Sequence, residues 1–188
     1  MKKIIILAFV SVLSIGANAQ KIIRDNTKDG LRYIGTDSQI CRNFKDKVVL
    51  SASLSVSKRG DITIFHFVPG LTFSTQCSAP KNGKMLIKLF DDSVIELTTA
   101  LGDNQIVRQV HNVNGLVYSD YTMQPIYDIS DEQLSAIIEK GVKKIRIETS
   151  PIVYENEYKK DKIGKALADR YSLLKEALKK NPSFSDGF

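Results

Sequence analysis

Residues 48–56 alternate between apolar and polar side chains, which is the pattern of a half-buried strand. The even positions are apolar and positions 51, 53, 55 and 57 are serine, so a period of two puts the apolar set on one face. After a turn at residues 58–61, residues 62–68 are apolar on both faces apart from Thr63 and His66. We expect this second strand to lie inside a sheet, with His66 as a hydrogen-bonded core histidine.

Three further strand pairs are indicated, each joined by a short turn: residues 21–24 with 31–35, 85–90 with 94–99, and 105–113 with 116–121. The last pair is joined by Asn114-Gly115, which tolerates the positive φ angles of a type I′ turn. With one more alternating segment at residues 143–149, the pattern predicts eight or nine strands, mostly antiparallel.

Two helices are predicted in the C-terminal part of the chain. The first has Ser130 as its N-cap, Gln133 completes a capping box, and Gly141 can end the helix. The second runs from about residue 157 to residue 180, with apolar residues at helical spacing: Ile163, Ala166, Leu167, Tyr171, Leu174 and Leu178. Asn181-Pro182 ends this helix, and residues 183–188 are expected to form a flexible tail.

The order of these elements predicts an α+β fold. No repeat, low-complexity linker or charge block marks a second domain, so residues 20–182 are expected to form one domain. Both helices have an apolar stripe that must be buried. We expect them to pack on one face of the sheet.

The first 19 residues have the three parts of a cleaved signal peptide. Lys2 and Lys3 precede an apolar core, and Ala17-Asn18-Ala19 supplies the small residues that a peptidase requires. The core is too short to span a bilayer, which needs about 20 residues. We expect cleavage after Ala19, a secreted or periplasmic mature protein, and contact with the membrane only transiently, during export.

The charge of the mature chain is mild. The leader carries two of the 27 basic residues and none of the 21 acidic ones, which leaves a formal net charge of +4. Nucleic-acid binders usually concentrate basic residues in a stripe, and nucleic acid is not expected as a partner. The last helix is basic and amphipathic, so attachment to an anionic membrane surface remains an alternative for it.

Cys41 and Cys77 are the two cysteines of the chain. An oxidising compartment would permit a disulfide between them, which would close a loop of about 37 residues. Two free buried thiols are the structural alternative, and a cysteine nucleophile with His66 or His111 as its base is a chemical one. These four residues lack zinc-ligand spacing, so neither a metal nor another cofactor is expected.

No local motif of a known catalytic site is present. Arg59-Gly60-Asp61 resembles an integrin-binding tripeptide, but the same residues are those of a tight turn. Acidic pairs at residues 91–92 and 131–132 have structural roles in a turn and at a helix start. Tyr118, Tyr121 and Tyr127 could form an exposed surface for a protein or glycan partner, or could cover the edge of the core.

Residues 141–149 (GVKKIRIET), residues 160–167 (KDKIGKAL) and the hairpin sequence LIKLFDDSVIEL resemble the C-terminal part of small secreted bacterial proteins of unknown function. The resemblance covers about the last hundred residues. It implies an α+β fold and brings no activity or site residues with it. The sequence thus favours a non-catalytic module that binds a protein or carbohydrate partner, with an envelope hydrolase that uses a cysteine or a carboxylate pair as the alternative.

Overall fold

The structure is a computed structural model that describes residues 20–41, 47–100 and 106–180. The predicted leader, residues 1–19, and the predicted tail, residues 183–188, lie outside the described residues, as does Asn181-Pro182.

Twelve strands and two helices make up the described part of the chain. In chain order they are β1 (Ile22–Lys28), β2 (Leu31–Thr36), β3 (Gln39–Ile40), β4 (Val49–Arg59), β5 (Ile62–Phe73), β6 (Lys84–Leu89), β7 (Val94–Thr98), β8 (Ile106–Val113), β9 (Leu116–Met123), β10 (Tyr127–Ile129), α1 (Asp131–Lys140), β11 (Val142–Ile147), β12 (Tyr154–Glu157) and α2 (Ile163–Lys179). Every strand pair is antiparallel. The predicted α+β class, with mostly antiparallel strands and two C-terminal helices, is confirmed. The described chain has twelve strands rather than the predicted eight or nine, because β3, β10 and β12 have only two, three and four residues and are too short to show an alternating pattern.

The strands form two sheets. The large sheet has the order β1-β2-β4-β5-β9-β8, with β3 paired to β4 and β10 paired to β5, and the small sheet has the order β12-β11-β6-β7. The sequence did not predict this division, because the pairing of β11 with β6 joins residues more than 50 positions apart.

The core lies on the inner face of β4 and β5. The even positions of β4 from Leu50 to Val56 are buried, as the alternation predicts, and Phe65 and Phe67 of β5 are buried beside them. The other face of β5 points outward, with Ile62 67% exposed. The expected position of His66 in the core is therefore wrong, because His66 shares this outer face, but the expected hydrogen bonding is confirmed at both ring nitrogens.

The capping signals around α1 are confirmed. Ser130 is the N-cap, the reciprocal bonds of the capping box with Gln133 are present, and Gly141 follows the last helical residue with a φ of 71°. Asp91 and Asp92 lie in the β6–β7 turn as predicted.

The second helix begins later than predicted, at Ile163. Residues 154–157 form β12 instead, because Tyr154 and Tyr158 are buried in the core and β12 pairs with β11. The carboxylate of Asp161 accepts hydrogen bonds from the backbone N–H groups of Gly164 and Lys165, at 2.9 and 3.0 Å. It thereby satisfies two donors of the first helical turn.

α2 packs on the large sheet against β4 and β2, and on α1. Four residues of its predicted stripe are buried, and two are half-buried; the buried ones are Ile163, Ala166, Leu167 and Leu174. The apolar stripe of α2 is therefore packed against the protein and is not available to contact a membrane surface. Among the described residues, no helix is both long and apolar enough to span a membrane.

The β8–β9 hairpin extends beyond the large sheet. β9 pairs with β5 only at residues 121–123, whereas β8 and β9 pair with each other as far as Val113 and Leu116. Residues 109–120, which we call the arm, therefore form a two-stranded ribbon that pairs with no third strand of the described chain. Asn114 and Gly115 have φ angles of 52° and 83°, which confirms the predicted type I′ turn.

Candidate functional site

The arm carries apolar side chains that are exposed to solvent on both faces. Its exposed apolar residues are Val110, Val113, Leu116, Val117 and Tyr118, and Leu116 is 75% exposed. The sequence of the arm contains one aspartate, one histidine and no lysine, arginine or glutamate. Val113, Leu116 and Tyr118 lie on one face and Val110 and Val117 on the other. Exposed apolar side chains grouped on one element of a folded protein make that element a candidate interaction surface.

A polar cluster lies along one face of the arm. The rings of His111 and Tyr118 are stacked, with centroids 4.9 Å apart and an interplanar angle of 20°. His111 Nε2 also lies 3.3 Å from Asp120 Oδ2. Cross-strand pairs of this type stabilise a ribbon that has no third strand beside it.

The three tyrosines that the sequence suggested as a binding surface have different environments. Tyr118 is exposed on the arm, and Tyr121 is half-buried where β9 joins the large sheet. Tyr127 is fully buried, so its assignment to a surface is wrong. The reason is its pairing with Phe67, which places both aromatic rings on the core face. Burial also raises the pKa of Tyr127 far above the usual range.

Ser57, His66 and Asp128 form a hydrogen-bonded chain across three neighbouring strands on the outer face of the large sheet. Ser57 Oγ lies 2.6 Å from His66 Nε2, and His66 Nδ1 lies 2.7 Å from Asp128 Oδ1. The histidine side chain is 14% exposed and the aspartate side chain 54%. We call this chain the Ser–His–Asp cluster.

The aspartate determines how protons are arranged in the Ser–His–Asp cluster. An ionised carboxylate can only accept hydrogen bonds, so His66 Nδ1 donates to Asp128. In a neutral imidazole the other nitrogen is then an acceptor, and Ser57 donates its hydroxyl proton to His66 Nε2. This is the hydrogen-bond order in which a histidine activates a serine nucleophile.

A cleft of about 680 Å³ opens beside Asp128. It lies between the start of β5, the β10–α1 junction and the end of α2. Its apolar lining consists of Ile64, Phe65, Ile129 and Leu178, and its charged lining of Asp128, Asp131, Glu132 and Lys175. Ile64 pairs in register with Ser57. Asp128 therefore belongs to both the cleft and the Ser–His–Asp cluster, whereas Ser57 and His66 do not line the cleft and adjoin it through Ile64 and Asp128.

The cysteines form no disulfide, so the predicted bond between Cys41 and Cys77 is wrong. The two thiols are buried at different places in the core. Cys41 Sγ donates to the carbonyls of Gln39 and Lys162, beside the start of α2, whereas Cys77 precedes the bridge between Ser78 and Ser150. Burial raises the pKa of Cys41 to about 11. A thiol with that pKa is protonated at neutral pH, which argues against Cys41 as a nucleophile.

Within residues 20–41, 47–100 and 106–180, no group of three or more His, Cys, Asp and Glu side chains is placed to hold a metal ion. Arg59-Gly60-Asp61 forms the tip of the β4–β5 hairpin, where Gly60 has a φ of 58°. The turn interpretation of this tripeptide is confirmed.

Sequence reasoning did not find the Ser–His–Asp cluster. The alternation of β4 placed Ser57 on a wet face, but Asp128 belongs to a three-residue strand with no pattern of its own. The comparison of the chain with protein-family models, curated proteins and solved structures gives no match.

Proposed function

We propose that the chain is a secreted or periplasmic module that binds a protein partner through the arm. The observation that carries the proposal is the exposure of five apolar side chains on a ribbon that projects from the sheet. The predicted signal peptide at residues 1–19 supports the location. Burying these side chains against a partner would gain about 25 cal/mol for each Å² of apolar surface removed from water.

The chemistry of the arm favours a protein partner over a glycan. Four of the five exposed apolar residues are valine or leucine, and Tyr118 already stacks one side of its ring on His111. An exposed aromatic ring with free faces would suit a sugar better. The near absence of charge also argues against an anionic ligand, since the arm has one aspartate and no lysine or arginine.

The strand at the border of the sheet adds a second way to bind. β8 is the last strand in the order of the large sheet, so no described strand covers its outer edge. An exposed edge strand in which four of eight residues are apolar, as in β8, is a template for pairing with another strand. A partner segment that adds to β8 would bury side chains of the arm and satisfy backbone groups in the same step.

Site-specific photo-crosslinking in the producing cells tests the proposal. A benzoylphenylalanine in place of Val110 reports on the arm, and the same probe in place of Ile23 is the matched control. Val110 is 60% exposed and Ile23 62%, and both lie on border strands of the large sheet. We expect one discrete adduct from position 110 and none from position 23.

A second substitution makes the result specific to the apolar surface. Val117→Asp in the protein that carries the probe at position 110 should abolish the adduct, because Val117 is 67% exposed on the same face of the arm as Val110 and a carboxylate there would have to be buried against the partner. No adduct at position 110, or the same adduct at both positions, would overturn the proposal. If the second component of the adduct is another copy of this chain, the arm mediates self-association instead of binding a different protein.

A further inference from the structure

We infer that the Ser–His–Asp cluster is a site of serine nucleophilic chemistry, with Ser57 as the nucleophile and His66 as the general base. The proposed substrate is an uncharged ester with an apolar group that fits the cleft beside Asp128. This inference is independent of the arm and of the proposed partner.

The geometry satisfies the requirements for activating a serine. Ser57 Oγ and His66 Nε2 are 2.6 Å apart, within the reach of proton transfer. The opposite ring nitrogen lies 2.7 Å from Asp128 Oδ1, so in the neutral imidazole Nδ1 donates to the carboxylate and Nε2 presents its lone pair to the serine. Three different strands supply the three residues, and the sheet register fixes their relative positions.

Two other serines on β4 differ from Ser57 in their hydrogen-bond partners. Ser53 Oγ donates to the carbonyl of Val68 at 2.9 Å, which is an ordinary bond to the adjacent strand. Ser55 pairs in register with His66, and its hydroxyl is buried without a partner in the described structure.

The cleft defines the class of substrate. Four of its lining side chains are apolar, while its charged groups are three carboxylates and one lysine. An anionic substrate would be repelled by this excess of negative charge. An uncharged ester could place its apolar group against Ile64 and Leu178, the cleft's more exposed apolar side chains.

The chemistry needs no reagent besides water. Ser57 Oγ attacks the ester carbonyl carbon while its proton passes to His66 Nε2. The bond to the alkoxide then breaks, and the alkoxide takes that proton and leaves as an alcohol. Water attacks the acyl group on Ser57, its proton passes through His66 to Ser57 Oγ, and a carboxylic acid is released. Asp128 acts as a positioning residue, since it touches only the histidine.

A fluorophosphonate probe tests the nucleophile, because the serine oxygen displaces fluoride and keeps the phosphonyl group. We expect a single adduct on the wild-type protein, located on Ser57 by peptide mass spectrometry. Labelling should fall by about 100-fold or more in Ser57→Ala and in His66→Gln. The controls Ser53→Ala and His111→Gln, which alter a neighbouring serine and a second histidine–aspartate pair, should label at the wild-type rate.

The location of the adduct on the wild-type protein does not depend on how any variant folds. No adduct, an adduct elsewhere, or equal labelling of wild type and Ser57→Ala would overturn the inference. Hydrolysis of p-nitrophenyl butyrate should follow the same order among the variants. For Asp128, the Nδ1 proton resonance of His66 should be seen in the wild type and lost in Asp128→Asn; an unchanged resonance would contradict its positioning role.

Discussion

Leu54 and Leu116 are both leucines in strands of the large sheet, but Leu54 is 1% exposed and Leu116 is 75% exposed. β4, which carries Leu54, lies between β2 and β5 and has α2 against it. The arm, which carries Leu116, has two strands and no third strand beside them in the described chain. A two-stranded ribbon is marginally stable in water. Apolar residues therefore stabilise the described fold outside the arm, which we call the body, whereas on the arm they stay in contact with solvent, as the proposed partner binding requires.

The largest expected difference between body and arm comes from making the same substitution in both. Leu54→Ala should lower the free energy of unfolding by about 2 to 5 kcal/mol, because it leaves a cavity in the core. Leu116→Ala should change it by less than about 0.5 kcal/mol, because the side chain is mostly in water. Urea unfolding followed by far-ultraviolet circular dichroism measures both. Equal losses would mean that the arm is part of the cooperative core.

Two arginines extend the comparison to polar groups. Arg170 is 2% exposed and donates to the carbonyls of Asp37 and Ala166, to Gln39 Oε1 and to Asp37 Oδ1. Arg108, at the base of the arm, is exposed and donates to Ser119 Oγ.

Arg170→Ala should lower the free energy of unfolding by about 3 kcal/mol, because it removes a buried side chain together with the donors of all four of these hydrogen bonds. Arg108→Ala should cost less than about 0.5 kcal/mol. The same urea titrations measure both variants. A loss below about 1 kcal/mol for Arg170→Ala would show that water replaces its bonds.

Features set by neighbouring residues in the chain were predicted well. The α1 cap depends on Ser130, Gln133 and Gly141 within one short segment, and it was predicted residue by residue. The strand pairs joined by Asn114-Gly115 or by residues 91–93 were also correct. In each case the turn or cap requires particular residue types at adjacent positions.

Features set by tertiary pairing were not predictable from local pattern. The predicted start of α2, at about residue 157, is too early, because Glu157 pairs with Lys144 of β11 and the helical spacing of residues 163–178 does not show that pairing. The Ser–His–Asp cluster needs the register of β4, β5 and β10, which the sequence does not specify. The outer face of β5 was mistaken for core because Ile62 and Ile64 are apolar, although both are exposed.

A smaller effect is expected from two glycines, one in each region. A Cβ at Gly164 would lie 2.6 Å from Asp161 Oδ2 and 2.8 Å from the carbonyl oxygen of Ile137, so α1 and α2 would have to separate. We expect Gly164→Ala to cost about 1 to 2 kcal/mol. At Gly115 a Cβ would meet nothing within 4 Å, but φ is +83°.

Gly115→Ala should therefore strain the turn of the arm and cost at most the small free energy with which the arm itself forms. Amide hydrogen exchange separates the two cases. Gly164→Ala should speed exchange throughout β4 and β5, whereas Gly115→Ala should speed it only in residues 109–120. Faster exchange in β4 after Gly115→Ala would show that arm and body unfold together.

The smallest expected effect is a pH dependence of the stability of the body, to which the arm does not contribute. Lys140, which pairs with Asp91 at 2.7 Å, and the side chain of Ser93 lower the pKa of Asp91 to about 2. Because the folded pKa lies below the unfolded value of about 3.9, the contribution to stability is present above pH 4 and is lost as the pH falls towards 2.

Both charges are exposed, so the effect is small and screened by salt. The thermal midpoint of the wild type should therefore exceed that of Asp91→Asn at pH 6, and the difference should shrink at pH 2.5 and in 1 M salt. Asp120→Asn on the arm is the matched control and should shift the midpoint little at either pH, because the arm contributes little to the cooperative transition. A wild-type advantage over Asp91→Asn that stays constant from pH 6 to pH 2.5 would mean that the carboxylate charge of Asp91 does not stabilise the body.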